Sequence, residues 1–230
     1  MRLATLDQLI AARQQNRAVV LITLLQDGTQ SLYFQDGTVA GMGLTETQRN
    51  LAQQTLQSNQ SQLAENETVF LQPYNPPLRL IIIGAVHISQ ILAAMATLCD
   101  YQVTVVDPRT AFAAAARFPN LELNTDWPDA ALTAMHPDAR TAVVTLTHDP
   151  KLDDPALRIA LQSDAFYIGA LGSRKTQQAR FKRLVELGCT EAQQARIQGP
   201  VGLDIGAVSP AEIAIAIMAQ ITQHLHRRIA

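Results

Sequence analysis

The sequence predicts an α/β fold: a mostly parallel, doubly wound sheet with helices on both faces, preceded by a small α+β unit. Three observations predict it. Residues 78–109 read as a buried strand, a glycine turn, an apolar helix and a second strand ending in an acid, the βαβ unit that opens such sheets. From Arg79 onward strand and helix patterns alternate, which calls for parallel pairing through crossover helices. Before that, two Asp-Gly turns, Asp27-Gly28 and Asp36-Gly37, separate short apolar runs, as in an antiparallel meander.

The elements follow in order. Thr5 is placed to cap a short helix with Leu6, Leu9 and Ile10 on one face. Ala18 to Leu25, Leu32 to Phe34 and a stretch at Val39 read as strands. Thr45 to Gln57 reads as a Gln-rich helix anchored by Leu51 and Leu56, and Val69 to Leu71 adds a strand. Pro73, Pro76 and Pro77 then interrupt the pattern, because proline cannot donate to a ladder and restricts the residue before it. The expected domains are therefore 1–77 and 78–230. In the second, strands are expected at Leu80 to Ile83, Val103 to Val106, Ala142 to Leu146 and Phe166 to Ile168. Helices are expected over Ile88 to Leu98, between Phe112 and Phe118, over Ala130 to Met135, after an Asp154 cap with Pro155 first, from Ser173 to Leu187, and after Ser209-Pro210.

Composition narrows the function. The chain has 230 residues, 47% hydrophobic and 17% charged, so it is globular. A net charge of -2 gives no electrostatic case for nucleic acid or a membrane surface. No apolar run approaches the roughly 18 to 20 residues of a spanning helix, and Arg2 is followed by no apolar signal core. A cytoplasmic protein is expected. The two cysteines have no metal-ligand spacing; Cys99 is expected in the core and Cys189 in an exposed loop. No hydrolase triad pattern, Walker loop or zincin motif is present, so no catalytic group is assigned and no metal site is expected.

In a doubly wound sheet ligands bind beyond the carboxyl ends of the strands, which gives the candidate residues. The glycine fingerprint of a dinucleotide site is damaged: its positions hold Gly84, Val86 and Ser89. Gly84 permits a sharp turn with or without a ligand, and a β-branched Val86 crowds a pyrophosphate. His87, in the first helical turn, is either a ligand contact or an exposed turn histidine. Asp107 suits an acid accepting from ribose hydroxyls and Arg109 a phosphate cation, or the two pair locally. His148 and Asp149 end another strand; adjacent residues point to opposite faces, which argues against one shared ion. Gly169, Gly172, Ser173, Arg174 and Lys175 form the best anion site, a glycine-freed turn into a capped helix with two cations. The alternative is an ordinary capped helix whose basic face, with Arg180, Lys182 and Arg183, is solvated. Asp204, between Gly202 and Gly206, either points into the crevice or bonds its own backbone.

The runs Val143-Val144-Thr145-Leu146-Thr147-His148-Asp149, Phe166-Tyr167-Ile168-Gly169-Ala170-Leu171-Gly172-Ser173-Arg174-Lys175 and Gly199-Pro200-Val201-Gly202-Leu203-Asp204-Ile205-Gly206, with Pro210, Glu212 and Ile213, resemble the XdhC/CoxI family. Its members are accessory factors for molybdenum hydroxylases such as xanthine dehydrogenase. The resemblance runs from Leu78 to the end. It implies a Rossmann-like C-terminal domain and a role in holding, maturing or inserting the molybdenum cofactor (molybdopterin) into a molybdenum hydroxylase client, with a cysteine desulfurase as a further partner. It makes Gly84, His87, Asp107, His148, Gly172, Ser173, Lys175 and Asp204 pocket residues. Two features depart from the family pattern. Val86 replaces the second glycine of its Gly-Ala-Gly-His turn. Its N-terminal Gly-Gly-Cys-x-Glu segment is matched only by Thr38 to Glu46, without the cysteine, so a sulfur-handling role does not transfer. Three functions stay open: a cofactor chaperone without turnover, an NAD(P)-dependent oxidoreductase, and a degenerate Rossmann-like interaction module. The sparse apolar face of the N-terminal unit would tolerate a homodimer contact.

Overall fold

The computed structural model describes residues 3–64 and 66–227. Its contacts divide into two compact units, one up to Pro76 and one from Pro77. The first unit runs α1 (Leu3–Gln14), β1 (Val19–Leu24), β2 (Gln30–Phe34), β3 (Val39–Gly41), α2 (Glu46–Ser58), β4 (Gln62–Ala64) and β5 (Val69–Tyr74). The strands form an antiparallel sheet in the order β3-β2-β1-β5-β4. β1 is apolar from Val19 to Ile22 because it feeds both faces. Val19 and Leu21 pack with Leu9 and Ala12 of α1, while Val20 and Ile22 pack with Ala52 of α2, as the two-residue strand period requires.

Several expectations for this unit need correcting. Thr5 lies inside α1, which is described over Leu3–Gln14, and not at an N-cap. Leu6 and Ile10 are exposed, because only the stripe through Leu9 and Ala12 meets the sheet. α2 is capped by Thr45 in a reciprocal pair with Gln48; its fully buried face is Gln48, Ala52 and Thr55, with Leu51 and Leu56 only partly covered. Pro73 does not end β5. It pairs with Val20, beyond the three residues of β5 that β4 covers, so the missing N–H falls where the strand has one neighbour.

The second unit runs β6 (Leu78–Ile83), α3 (His87–Leu98), β7 (Tyr101–Val106), a single 3-10 turn (Ala115–Arg117), β8 (Glu122–Asn124), α4 (Pro128–Met135), β9 (Thr141–Thr145), α5 (Pro150–Gln162), β10 (Tyr167–Ala170), α6 (Arg174–Glu186), α7 (Glu191–Gln194), β11 (Ile197–Gln198) and α8 (Pro210–Arg227). All six strands are parallel, in the order β11-β10-β9-β6-β7-β8. This is the Rossmann-like sheet the sequence predicts. Leu80, Ile82, Val144 and Leu146 face one layer, with Leu92 of α3 and Ile217 of α8. Ile81, Ile83 and Val143 face the other, with Leu132 of α4, Leu157 of α5 and Leu184 of α6. Burial on both faces explains why these strands read as unbroken apolar runs.

Two helices differ from expectation. The Ala-rich segment between Phe112 and Phe118 forms only the 3-10 turn. Arg117 instead donates to the carbonyls of Phe112 (2.8 Å) and Ala85 (2.9 Å), and Phe118 is buried; tertiary contacts override the alanine propensity. α5 starts earlier, with Asp149 as its cap and Pro150 first, and Pro155 lies inside it. Asp154 is thus a buried helical residue, ion-paired with Arg183. β4, β8, β11 and α7 are too short to have shown a period.

Leu92 is fully buried whereas Leu98, on the same helix, is 86% exposed. Leu92→Ala is expected to cost about 2–5 kcal/mol in urea unfolding, and Leu98→Ala to stay within about 0.5 kcal/mol.

Candidate anion-binding site

The register of the parallel sheet sets the site. Ile83 pairs with both Val106 and Thr145, and Thr145 pairs with Ala170. Gly84, Asp107, Leu146 and Leu171 therefore leave the sheet at one level. The strand order reverses between β6 and β9, the switch point where crevices open in such sheets. The turns touch there: Gly84 has φ +107, and a methyl group on it would lie 2.5 Å from Thr147 Cγ2. Only glycine fits both demands.

On the β6 side the turn is closed by its own groups. Asp107 is fully buried. Its carboxylate accepts from Ala85 N (2.8 Å), Arg109 N (3.0 Å), Arg109 Nε (2.9 Å) and Arg109 Nη2 (2.7 Å). Burial pushes its pKa up, but the Arg109 guanidinium and the two amides more than offset this and hold it below the ordinary value. The same hydrogen bonds raise the Arg109 pKa, with Asp149 and Asp153 adding to the field. Arg109 also lies over the Phe112 ring at 4.5 Å. Of the two sequence alternatives for Asp107 and Arg109, the geometry is the local pair. Val86 is the N-cap of α3 and gives it no side-chain cap. Ser89, where the fingerprint has a glycine, is buried and donates to the Gly84 carbonyl. His87 is exposed, with Nδ1 3.3 Å from Gln90 Oε1.

After β9, Thr147 Oγ1 donates to Asp153 Oδ1 (2.6 Å) and accepts from Asp149 N (3.0 Å). Asp149 accepts from Lys151 N (2.9 Å), so it caps α5. His148 is exposed at φ +62. Among the described residues no group of three or more His, Cys, Asp or Glu side chains is arranged to hold a metal ion.

After β10 the turn is open. Gly169 is not in it: it lies within β10, where a methyl group would fall 2.6 Å from Val201 Cγ2 and 2.9 Å from the Tyr167 ring. Its role there is close packing. Gly172 has φ +137, and Ser173 caps α6 by accepting from Thr176 N (3.2 Å). Among the described residues the Gly172 N–H meets no acceptor. Arg174 and Lys175 are exposed beside it. Asp204 is exposed in a loop held from below by Gly202 N to Gln220 Oε1 (2.8 Å) and Leu203 N to Ala216 O (3.1 Å).

Sequence reasoning missed the layer beneath this turn. Arg180, on a solvated face with Lys182 and Arg183 in the alternative reading of this helix, is 2% exposed. It donates to the Leu171 carbonyl (2.8 Å) and to Gln177 Oε1, and lies 3.8 Å from Asp153 Oδ2 and 4.0 Å from Asp154 Oδ1. Burial raises the Asp153 pKa and lowers that of Arg180. The signal available was the adjacent acids Asp153 and Asp154 on a helix otherwise facing the core. The cysteines are also exchanged: Cys99 is exposed at the end of α3, and Cys189 is buried, which pushes its thiol pKa up.

A lowered carboxyl pKa contributes stability that is complete above the unfolded value and is lost as pH falls through the folded one. Asp107→Asn is expected to cost about 1–3 kcal/mol at neutral pH. The gap in melting temperature from the parent should shrink on acidification through the ordinary aspartate value of 3.8 and below. A gap independent of pH would contradict the assignment.

Comparison with known proteins agrees with this architecture. A family model described as the XdhC Rossmann domain matches residues 80–221. A probable xanthine dehydrogenase subunit of Bacillus subtilis (strain 168) is 32% identical over 167 residues, which cover 72% of this chain and 48% of that protein. "Molybdenum cofactor insertion chaperone PaoD" of Escherichia coli (strain K12) is 30% identical over 155 residues, 67% of this chain and 42% of that protein. A solved structure described as a xanthine dehydrogenase from Bacillus halodurans superposes with a TM-score of 0.74 at 25% identity, over 98% of this chain and 65% of that one. The chain thus spans less than half of the two curated relatives and under two thirds of that solved structure. On a family match that takes in more than half of its residues, the chain belongs to the XdhC family.

Proposed function

We propose that this chain binds the molybdenum cofactor and helps mature or insert it into a molybdenum hydroxylase of the xanthine dehydrogenase type, as a cytoplasmic holder rather than a turnover enzyme. Family membership and the names of the two curated relatives support a maturation role in general terms. Among the described residues no helix is long and apolar enough to cross a membrane. The observation that carries the finer reading is the turn after β10, where an unpartnered amide at Gly172, the Ser173 cap and the exposed cations Arg174 and Lys175 lie together. Such a turn suits a phosphate.

These residues fit the phosphorylated tail of the cofactor, which when bound would bring the molybdenum centre that the client enzyme uses. In this reading Gly172, Ser173, Arg174 and Lys175 hold the phosphate. His87, exposed at the start of α3, and His148 and Asp204, exposed on loops, offer hydrogen bonds to the pterin. The dinucleotide reading is weaker on physical grounds. Asp107 has its acceptor positions filled by Ala85 and Arg109, and Val86 stands where close backbone approach to a pyrophosphate needs glycine.

The test is to load the purified chain with molybdenum cofactor, remove free cofactor, oxidise in acid and read pterin fluorescence. The parent should retain pterin. Lys175→Ala should weaken retention about tenfold, the loss of one charged contact, and Lys182→Ala by less than about twofold, since Lys182 is exposed away from the turn on α6. Equal losses would mean nonspecific charge attraction and an incorrect site. No pterin, together with thermal stabilisation by NAD(P), would favour the oxidoreductase.

A further inference from the structure

We infer that Arg180 is a positioning residue for the phosphate turn, acting by gripping one carbonyl from below. The inference rests on the anion-binding reading of that turn. Arg180 Nη2 donates to the Leu171 carbonyl at 2.8 Å. A trans peptide holds its C=O and the following N–H antiparallel. The Leu171 carbonyl is drawn toward the buried guanidinium, so the Gly172 N–H points the opposite way, away from that guanidinium, where no acceptor among the described residues meets it. Gly172 at φ +137 then lets the chain turn into α6. Without the grip, the 171–172 peptide plane is free to rotate and the amide need not face a ligand.

The ion pairs of Arg180 are a weak source of stability. Among the described residues, Asp153 Oδ2, Arg180 Nε and Gln177 Nε2 are buried without hydrogen-bond partners, and the ion-pair distances of 3.8 Å and 4.0 Å are long. A buried pair with such geometry is weak as a source of stability compared with apolar packing. What the guanidinium reaches at full strength is the Leu171 carbonyl and the Gln177 side chain. Arg117 repeats the device on the other side of the switch point: it donates to the Ala85 carbonyl at 2.9 Å, which turns the Val86 N–H away from it.

The test uses the whole chain, with inorganic pyrophosphate as the probe, read by NMR at the Gly172 amide. Arg180→Met combined with Asp153→Asn leaves no uncompensated acid at that pair and keeps the net charge. Arg183→Met is the comparison, because Arg183 shares the acid Asp154 but reaches no carbonyl of the turn. The double variant is expected to bind pyrophosphate roughly tenfold more weakly, the scale of one lost hydrogen bond from a charged group. Arg183→Met, despite losing a positive charge, should stay within about twofold of the parent. The residual dipolar coupling of the Gly172 N–H in the unliganded chain should change in the double variant only. Should the parent not bind pyrophosphate, the phosphate reading fails and the dipolar coupling alone decides on Arg180. An unchanged coupling in the double variant, or binding equal to that of Arg183→Met, overturns the inference.

Discussion

Everything at the candidate site depends on the parallel register that makes four strands end together. Ile83 is paired on one side with Val106 and on the other with Thr145, and Thr145 with Ala170. A slip of one residue in any of these strands would turn its apolar side chains to the wrong layer. Since both layers are packed, the register is fixed by burial, and the loop positions follow. Three arginines tie those loops: Arg109 to the Asp107 carboxylate, Arg117 to the Ala85 carbonyl, and Arg180 to the Leu171 carbonyl.

These arginines make the two sides of the switch point unequal. Beside α3, the acid and cation that would meet a ribose or phosphate are spent on each other, and Val86 narrows the approach. Beside α6, the Gly172 amide meets no acceptor among the described residues and Arg174 and Lys175 are exposed. On the reading proposed above, this asymmetry fits a ligand held at one phosphate better than a dinucleotide.

Much of this was legible in the sequence, and the failures have physical causes. The central strands were readable because burial on both faces leaves nothing but apolar residues at Leu80 to Ile83 and little else at Ala142 to Leu146. The α6 cap was readable because Ser173 follows glycine and precedes a helical run. Arg180 was not, since a basic residue on a helix looks solvated unless its partners are known, and Asp153 and Asp154 lie on another helix. Likewise Asp107 and Arg109 showed the right residue types for a ribose or phosphate, but only coordinates reveal that they bind each other. The stretch from Phe112 to Phe118 has helix-forming alanines, yet Arg117 and Phe118 commit it to tertiary contacts. Cys99 follows the last turn of an apolar helix, where the buried stripe has rotated away.

The most direct test of the central claim is a crystal structure of the chain with molybdenum cofactor bound. The cofactor phosphate is expected at the amides of Gly172 to Lys175, with the pterin lying across the carboxyl ends of β6 and β9. Cofactor held instead at the α3 end beside Val86, or away from the carboxyl edge of the sheet, would contradict it.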